Sequence, residues 1–295
     1  MNPALLKYYA QADALTALDA SLVGPLPDDV AQLTRLVQGV LLHWFVAHTM
    51  YGVNVAPERE AEAHLRYARQ IVDGILSLDA RDLQHARAPE RRLVGVCHHF
   101  AKLLVALLRG KNIPARMRYG FGDYFHAGFH EDHSLVEYWN AAEHRWVLVD
   151  PQFDAVWQQH IQHPALDVPR THFLVPATAW QRCRAGDADA ATFGTINGDL
   201  HGLWFIAGNL VKDLAALNKV EMLQWDVWGC MPQVDNRMQD KKTLAFFDRL
   251  AGLLHDPDAN FDALRDFYAA PDNGVAVPER VFNAMHHQLE PWRID

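Results

Sequence analysis

Cys97, His133 and Asp150 are the residues whose types and spacing could do chemistry. Cys97 heads a strongly apolar run that ends at Arg109. His133 and Asp150 stand on two short strand-like runs that read as one hairpin. A thiol at a helix start, with an imidazole and a carboxylate on an adjacent sheet, is the layout of an activated nucleophile with its base and the group that orients the base. It points to covalent acyl transfer rather than to metal, redox or nucleotide chemistry.

Two elements must position these groups. After Cys97 the apolar residues Phe100, Leu103, Leu104, Leu107 and Leu108 fall on one helix face. Gly110 and Pro114 are expected to stop this helix, and Gly95 to allow a tight turn into it. Cys97 then lies in the first turn, where outward N–H groups and the positive dipole end favour thiolate over thiol. The runs His133–Trp139 and Arg145–Asp150 are rich in β-branched and aromatic residues, with a polar break between them. A four-residue loop from Asn140 to Glu143 would pair Trp139 with His144, Glu137 with Trp146, Leu135 with Leu148 and His133 with Asp150. A two-residue slip would keep His133 and Asp150 on one face, and a one-residue slip would separate them. Pro151 is expected to end the second strand at Asp150.

Several separately spaced motifs occur in order: Gly95-Val96-Cys97, Leu107-Leu108-Arg109, Asn112-Ile113-Pro114-Ala115-Arg116, Asp132-His133, Glu137-Tyr138-Trp139, and Trp146 through Asp150-Pro151. Together, from about Arg92 to Phe153, they resemble the core of the transglutaminase-like superfamily. The resemblance implies Cys97 as nucleophile, His133 as general base and acid, and Asp150 as the residue that orients His133. It also implies an α+β fold, a papain-like core in which a nucleophile-bearing helix packs on an antiparallel sheet, wrapped by further N- and C-terminal helices. One departure matters. The animal transglutaminases have Gly-Gln-Cys-Trp at the nucleophile, and this chain has Gly95-Val96-Cys97-His98. Protein crosslinking is therefore not implied. The superfamily also holds peptidases, amidases, amide-forming enzymes and inactive members. Amine acyl transfer from a small-molecule, peptide or carrier-tethered donor is the reading favoured here. Hydrolysis by the same triad, and a binding module with an idle triad, stay open.

Other candidates are weaker. Cys183 and Cys230 lack such a context and read as structural. His126, His130 and His133 cluster, yet there is no His-Glu-x-x-His or Cys-x-x-Cys spacing, so no metal and no cofactor is expected. His98, Trp225 and Trp228 are candidates for the wall of a substrate pocket. His43, Trp44, His48 and Tyr51 could border a cleft, although core packing is the commoner fate of such residues.

The 295 residues are 50% hydrophobic and 21% charged, with a net charge of −9. No basic block exceeds Lys241-Lys242, which argues against nucleic acid or an anionic membrane as partner. Three cysteines argue against a disulfide framework. With no signal-peptide pattern and no long apolar run, the expected location is the cytoplasm. One domain over 1–295 is expected, in three parts: a helical part (1–90), the catalytic core (91–155) and a mainly helical C-terminal part (156–295). The spacing predicts helices over Val30–Met50, Glu58–Leu78, Leu203–Val220, Lys242–Leu254, Phe261–Tyr268 and Glu279–Leu289, and a strand near Ala115–Phe121.

Overall fold

The computed structural model describes residues 2–232 and 238–293. The chain divides into two compact units, Met1–Met117 with Ser134–Pro169, and Arg118–His133 with Arg170–Asp295. The first unit contains α1 (Pro3–Ala10), α2 (Ala20–Val23), α3 (Val30–Val40), β1 (Leu41–His43), α4 (Ala47–Tyr51), α5 (Ala68–Leu78), β2 (Leu93–Gly95) and α6 (Cys97–Gly110). Two long strands, β3 (Ala115–His126) and β4 (Phe129–Asn140), each give one segment to either unit, and β5 (Arg145–Val149) belongs to the first. The second unit continues with β6 (Phe173–Leu174), α7 (Pro176–Ala185), β7 (Phe193–Gly194), α8 (Leu203–Leu217), β8 (Asp226–Val227), α9 (Lys241–His255), α10 (Phe261–Ala269), β9 (Arg280–Asn283) and β10 (Gln288–Pro291).

The fold is α+β, with a sheet of order β5-β4-β3-β6 packed against α6. Its β4–β5 and β3–β6 pairs are antiparallel, and β7 adds a short parallel pairing to β4 at His130 and Glu131. In the first unit, α6 is buried on every side from Cys97 to Arg109, rather than along one stripe. Helices α1, α2, α3 and α5 pack around it. A helix enclosed in this way is the centre of its core. Truncating any of Leu103, Leu104, Leu107 or Leu108 to alanine should cost about 2–5 kcal/mol.

The end of α6 differs from expectation. Gly110 is still helical, and the stop is a Schellman turn: Asn112 takes φ 58°, its N–H reaches the Arg109 carbonyl, and the Ile113 N–H reaches the Leu108 carbonyl. Gly110 serves close packing instead, since a Cβ there would lie 2.9 Å from a Val23 methyl. Gly95 likewise makes no turn. It ends β2, and a Cβ on it would meet the His99 Cβ at 2.8 Å.

Three predicted helices are corrected. Val30–Met50 is α-helical over Val30–Val40 and again from Ala47; between them Leu41–His43 forms β1, parallel to β2, and Trp44–Val46 is a 3₁₀ turn. Pro57–His64 is 3₁₀ and the α-helix starts at Ala68, where the predicted Glu58–Leu78 had no break. Glu279–Leu289 is the β9–β10 hairpin, in which the Asn283 side chain accepts the Met285 and His286 N–H groups and His287 turns at φ 53°.

Candidate active site

Cys97 is the first residue of α6 and is buried. The residue before it, Val96, stays extended, so the chain passes from β2 into the helix without a loop. His99 locks this junction. Its Nδ1 accepts the Val96 N–H at 3.1 Å, and its own N–H donates to the Val96 carbonyl at 2.8 Å. Complete burial, with Lys102 nearby, pushes the His99 imidazole down to about 3, so it is neutral at physiological pH. An acceptor Nδ1 and a neutral ring together place the proton on Nε2. The thiol thus sits at a helix N-terminus.

Asp150 follows β5 and is fully buried. Its N–H donates to the Ala165 carbonyl at 2.8 Å, and its Oδ1 accepts the Gln152 N–H at 3.0 Å. The hairpin that carries it is shifted by two residues from the expected register. Asn140 pairs with Arg145, Trp139 with Trp146, Glu137 with Leu148 and Val136 with Val149. The loop is Ala141–His144, because the Asn140 side chain accepts the Ala142 and Glu143 N–H groups and His144 takes φ 52°. Carried one step on, this register sets Asp150 across from Leu135 instead of His133. The shift is even, so the face is kept: Trp146, Leu148 and Asp150 share a side with Leu135 and Glu137. Tyr9 of α1 meets Trp146 of that face edge-on at 5.8 Å, and α1 also packs on α6.

Arg116 and Glu137, two residues of the sequence motifs, fasten β3 to β4. Arg116 Nε donates to Glu137 Oε2 at 2.6 Å, both side chains are buried, and the guanidinium lies 4.1 Å from the Trp146 ring centre. Removing one partner of such a pair costs about 3–5 kcal/mol.

His133 lies on β4 and is buried. In its unit the imidazole is bounded by aromatic rings: Phe125 at 5.0 Å, Tyr124 at 6.2 Å and Phe173 at 6.4 Å, all steeply inclined to it. These rings restrict its rotation, and their role could not be read from the sequence because Phe173 lies 40 residues away. The preceding residue, Asp132, points the other way along the strand alternation and bonds Asn209 of α8.

The family model of the transglutaminase-like superfamily matches residues 55–151, a range that contains Cys97, His133 and Asp150. This chain carries a transglutaminase-like superfamily domain. No curated protein sequence matches it. Among solved structures it is similar to the periplasmic domain of TgpA from Pseudomonas aeruginosa, with 21% identity over 55% of this chain and 51% of that one, at a TM-score of 0.32. It is also similar to a cysteine-protease candidate from Cytophaga hutchinsonii, with 17% identity over 56% and 50% of the two chains, at a TM-score of 0.21. The chain thus spans about half the length of the structures it matches.

His98 is buried on α6, with its ring edge-on to His99 at 5.6 Å. Trp225 and Trp228 are buried in the second unit, where Trp228 gives its indole N–H to the Val275 carbonyl at 2.9 Å and Trp225 offers its carbonyl to the Ala284 N–H. Of the histidine cluster, His130 stacks on Phe193 at 4.2 Å and His126 lies 3.8 Å from Glu131. Burial pushes the Cys183 and Cys230 thiols up to about 11. Among the described residues no helix is long and apolar enough to cross a membrane.

Proposed function

We propose that the protein is a cysteine-dependent acyltransferase in which Cys97, His133 and Asp150 act as a triad. The observation that carries this reading is the place of Cys97, at the first position of a fully enclosed helix inside a transglutaminase-like domain. The thiol proton passes to His133, and the Cys97 sulfur attacks the carbonyl carbon of an amide or thioester. A sulfur–carbon bond forms, the leaving group departs with the proton from His133, and an acyl-thioester remains. An amine then attacks the acyl carbon, gives its proton to His133, and releases the amide as the sulfur regains the proton. Asp150 holds the His133 tautomer and stabilises its cation. The Cys97 backbone N–H is the first candidate to face the developing oxyanion. No cofactor enters these steps. The acyl donor is a small molecule, a peptide or a carrier-tethered group.

The test is a panel of acyl thioesters, with and without added amines, read by intact-protein mass spectrometry. An acyl adduct that maps to Cys97 and clears to an amide when amine is present is the expected result. Clearance at the same rate without amine would assign hydrolysis. If no member of the panel acylates Cys97 while iodoacetamide does label it, acyl transfer is wrong.

A further inference from the structure

An aromatic segment leaves β1 at the end of the strand pair where β2 leads to Cys97, and the triad makes no use of it. Strands β1 and β2 are parallel, with Leu41 opposite Leu93, Leu42 opposite Val94 and His43 opposite Gly95. Parallel neighbours lie about 4.8 Å apart. They leave the pair at the same end, so Trp44 and Phe45 follow His43 just as Val96 and Cys97 follow Gly95. Phe45 is 63% exposed, a high value for a phenylalanine, and His43, Trp44 and Val46 around it are half-buried. It is held in place all the same. Trp44 stacks on it at 5.2 Å and 17°, and the His43 ring meets it at 6.0 Å.

The far end of this segment is tied to the loop after Asp150. Tyr51, which closes α4, bonds the Asp154 carboxylate; burial and that carboxylate together raise its hydroxyl well above the usual tyrosine range. The Arg92 guanidinium, one residue before β2, lies 5.8 Å over the Tyr51 ring and 3.7 Å from Asp154. Asp154 in turn accepts the Val156 N–H at 2.9 Å. One end of segment 43–51 is therefore registered against the strand that leads to Cys97, and the other against the segment that leads from Asp150. The exposed Phe45 ring, stacked on the half-buried Trp44, is fixed between those two anchors.

We propose that Phe45, backed by Trp44, is the specificity face for the acyl donor: a flat apolar group next to the reacting carbonyl stacks on it while Cys97 attacks. The proposal rests on the acyl-transfer reading and names its substrate class, donors with an aromatic or similarly flat apolar acyl group. Small or charged acyl groups gain nothing from such a face. A ring stacked on a ring adds a free energy worth about a tenfold preference.

The experiment compares phenylacetyl and acetyl thioesters of N-acetylcysteamine at low concentration, reading the rate of Cys97 acylation in the full chain and in Phe45→Ala. The exposure of Phe45 makes this variant compatible with folding. The wild type should favour phenylacetyl by about tenfold, and the ratio should fall towards one in Phe45→Ala. Equal ratios in both proteins would overturn the proposal. Saturation-transfer NMR of phenylacetamide on Cys97→Ala, with and without Phe45→Ala, reads the face independently of turnover. Loss of the phenyl signal in the double variant supports it, and an unchanged signal refutes it. A Phe45-dependent phenyl signal without any acyl adduct would keep the face and reject acyl transfer. Self-association abolished by Phe45→Ala, with no acyl preference, would assign the patch to a second copy of the chain and overturn the proposal.

Discussion

At the scale of single residues, three thiols share one chain and only one has a reason to react. Cys183 and Cys230 are raised to about 11 by burial, so both stay protonated at neutral pH. Cys97 occupies a helix N-terminus. Brief alkylation at pH 7 should therefore label Cys97 before the other two, and peptide mapping that finds Cys183 or Cys230 labelled first would contradict the assignment. Asp150→Asn should leave residual activity, because it disturbs the His133 tautomer without deleting a reacting atom; serine triads suggest a loss of up to about 10⁴-fold in kcat. Cys97 was legible from its position ahead of an apolar run. The role of His99 was not, because its bond to Val96 depends on burial, and the two histidines after Cys97 look alike in sequence.

At the scale of elements, the junction of β2 and α6 depends on a glycine. A Cβ at position 95 would lie 2.8 Å from the His99 Cβ, and His99 is fully buried with nowhere to move. Gly95→Ala should destabilise the protein by about 1–3 kcal/mol through overpacking and lower the Cys97 alkylation rate by moving the helix start. Urea unfolding and alkylation kinetics read the two effects. Wild-type values for both would mean that the His99 lock does not set the thiol. The α6 helix and the strand stretches Ala115–Phe121 and His133–Trp139 were legible because their patterns are strong and local, whereas the extensions to His126 and back to Phe129 were not. The run from Leu41 to Val46 reads as a continuation of the helix for a physical reason. Its apolar residues are nearly continuous, so they fit the helical period, while the pairing that makes Leu41–His43 a strand comes from Leu93–Gly95, about fifty residues on. The hairpin register failed by two because the Asn140 turn and the positive φ of His144 set the loop, and hydrophobic alternation alone fixes only the parity.

At the scale of the whole molecule, β3 and β4 pass from one unit to the other, so Cys97 and Asp150 are counted in the first and His133 in the second. The acid–base balance of the second unit carries its own prediction. Burial pushes Asp132 up to about 6, against the opposing pull of Lys212. A carboxyl raised in the folded state binds its proton more tightly there than in the unfolded chain. Its contribution is complete below about pH 4 and is lost as pH rises through about 6. Asp132→Asn, which mimics the protonated form, should match the wild type near pH 4. It should be more stable at pH 8, by at most about 3 kcal/mol, in urea unfolding. A less stable variant at pH 8 would show that attraction to Lys212 outweighs the desolvation of Asp132. The central claim is that Cys97 and His133 work as one unit, and a four-corner cycle tests it most directly. The acylation and turnover rates of wild type, Cys97→Ala, His133→Ala and the double variant are measured with a thioester that acylates Cys97. Groups that act together give non-additive losses, so the double variant should be about as slow as either single one; if the two single losses instead multiply, Cys97 and His133 act independently and the triad reading is contradicted.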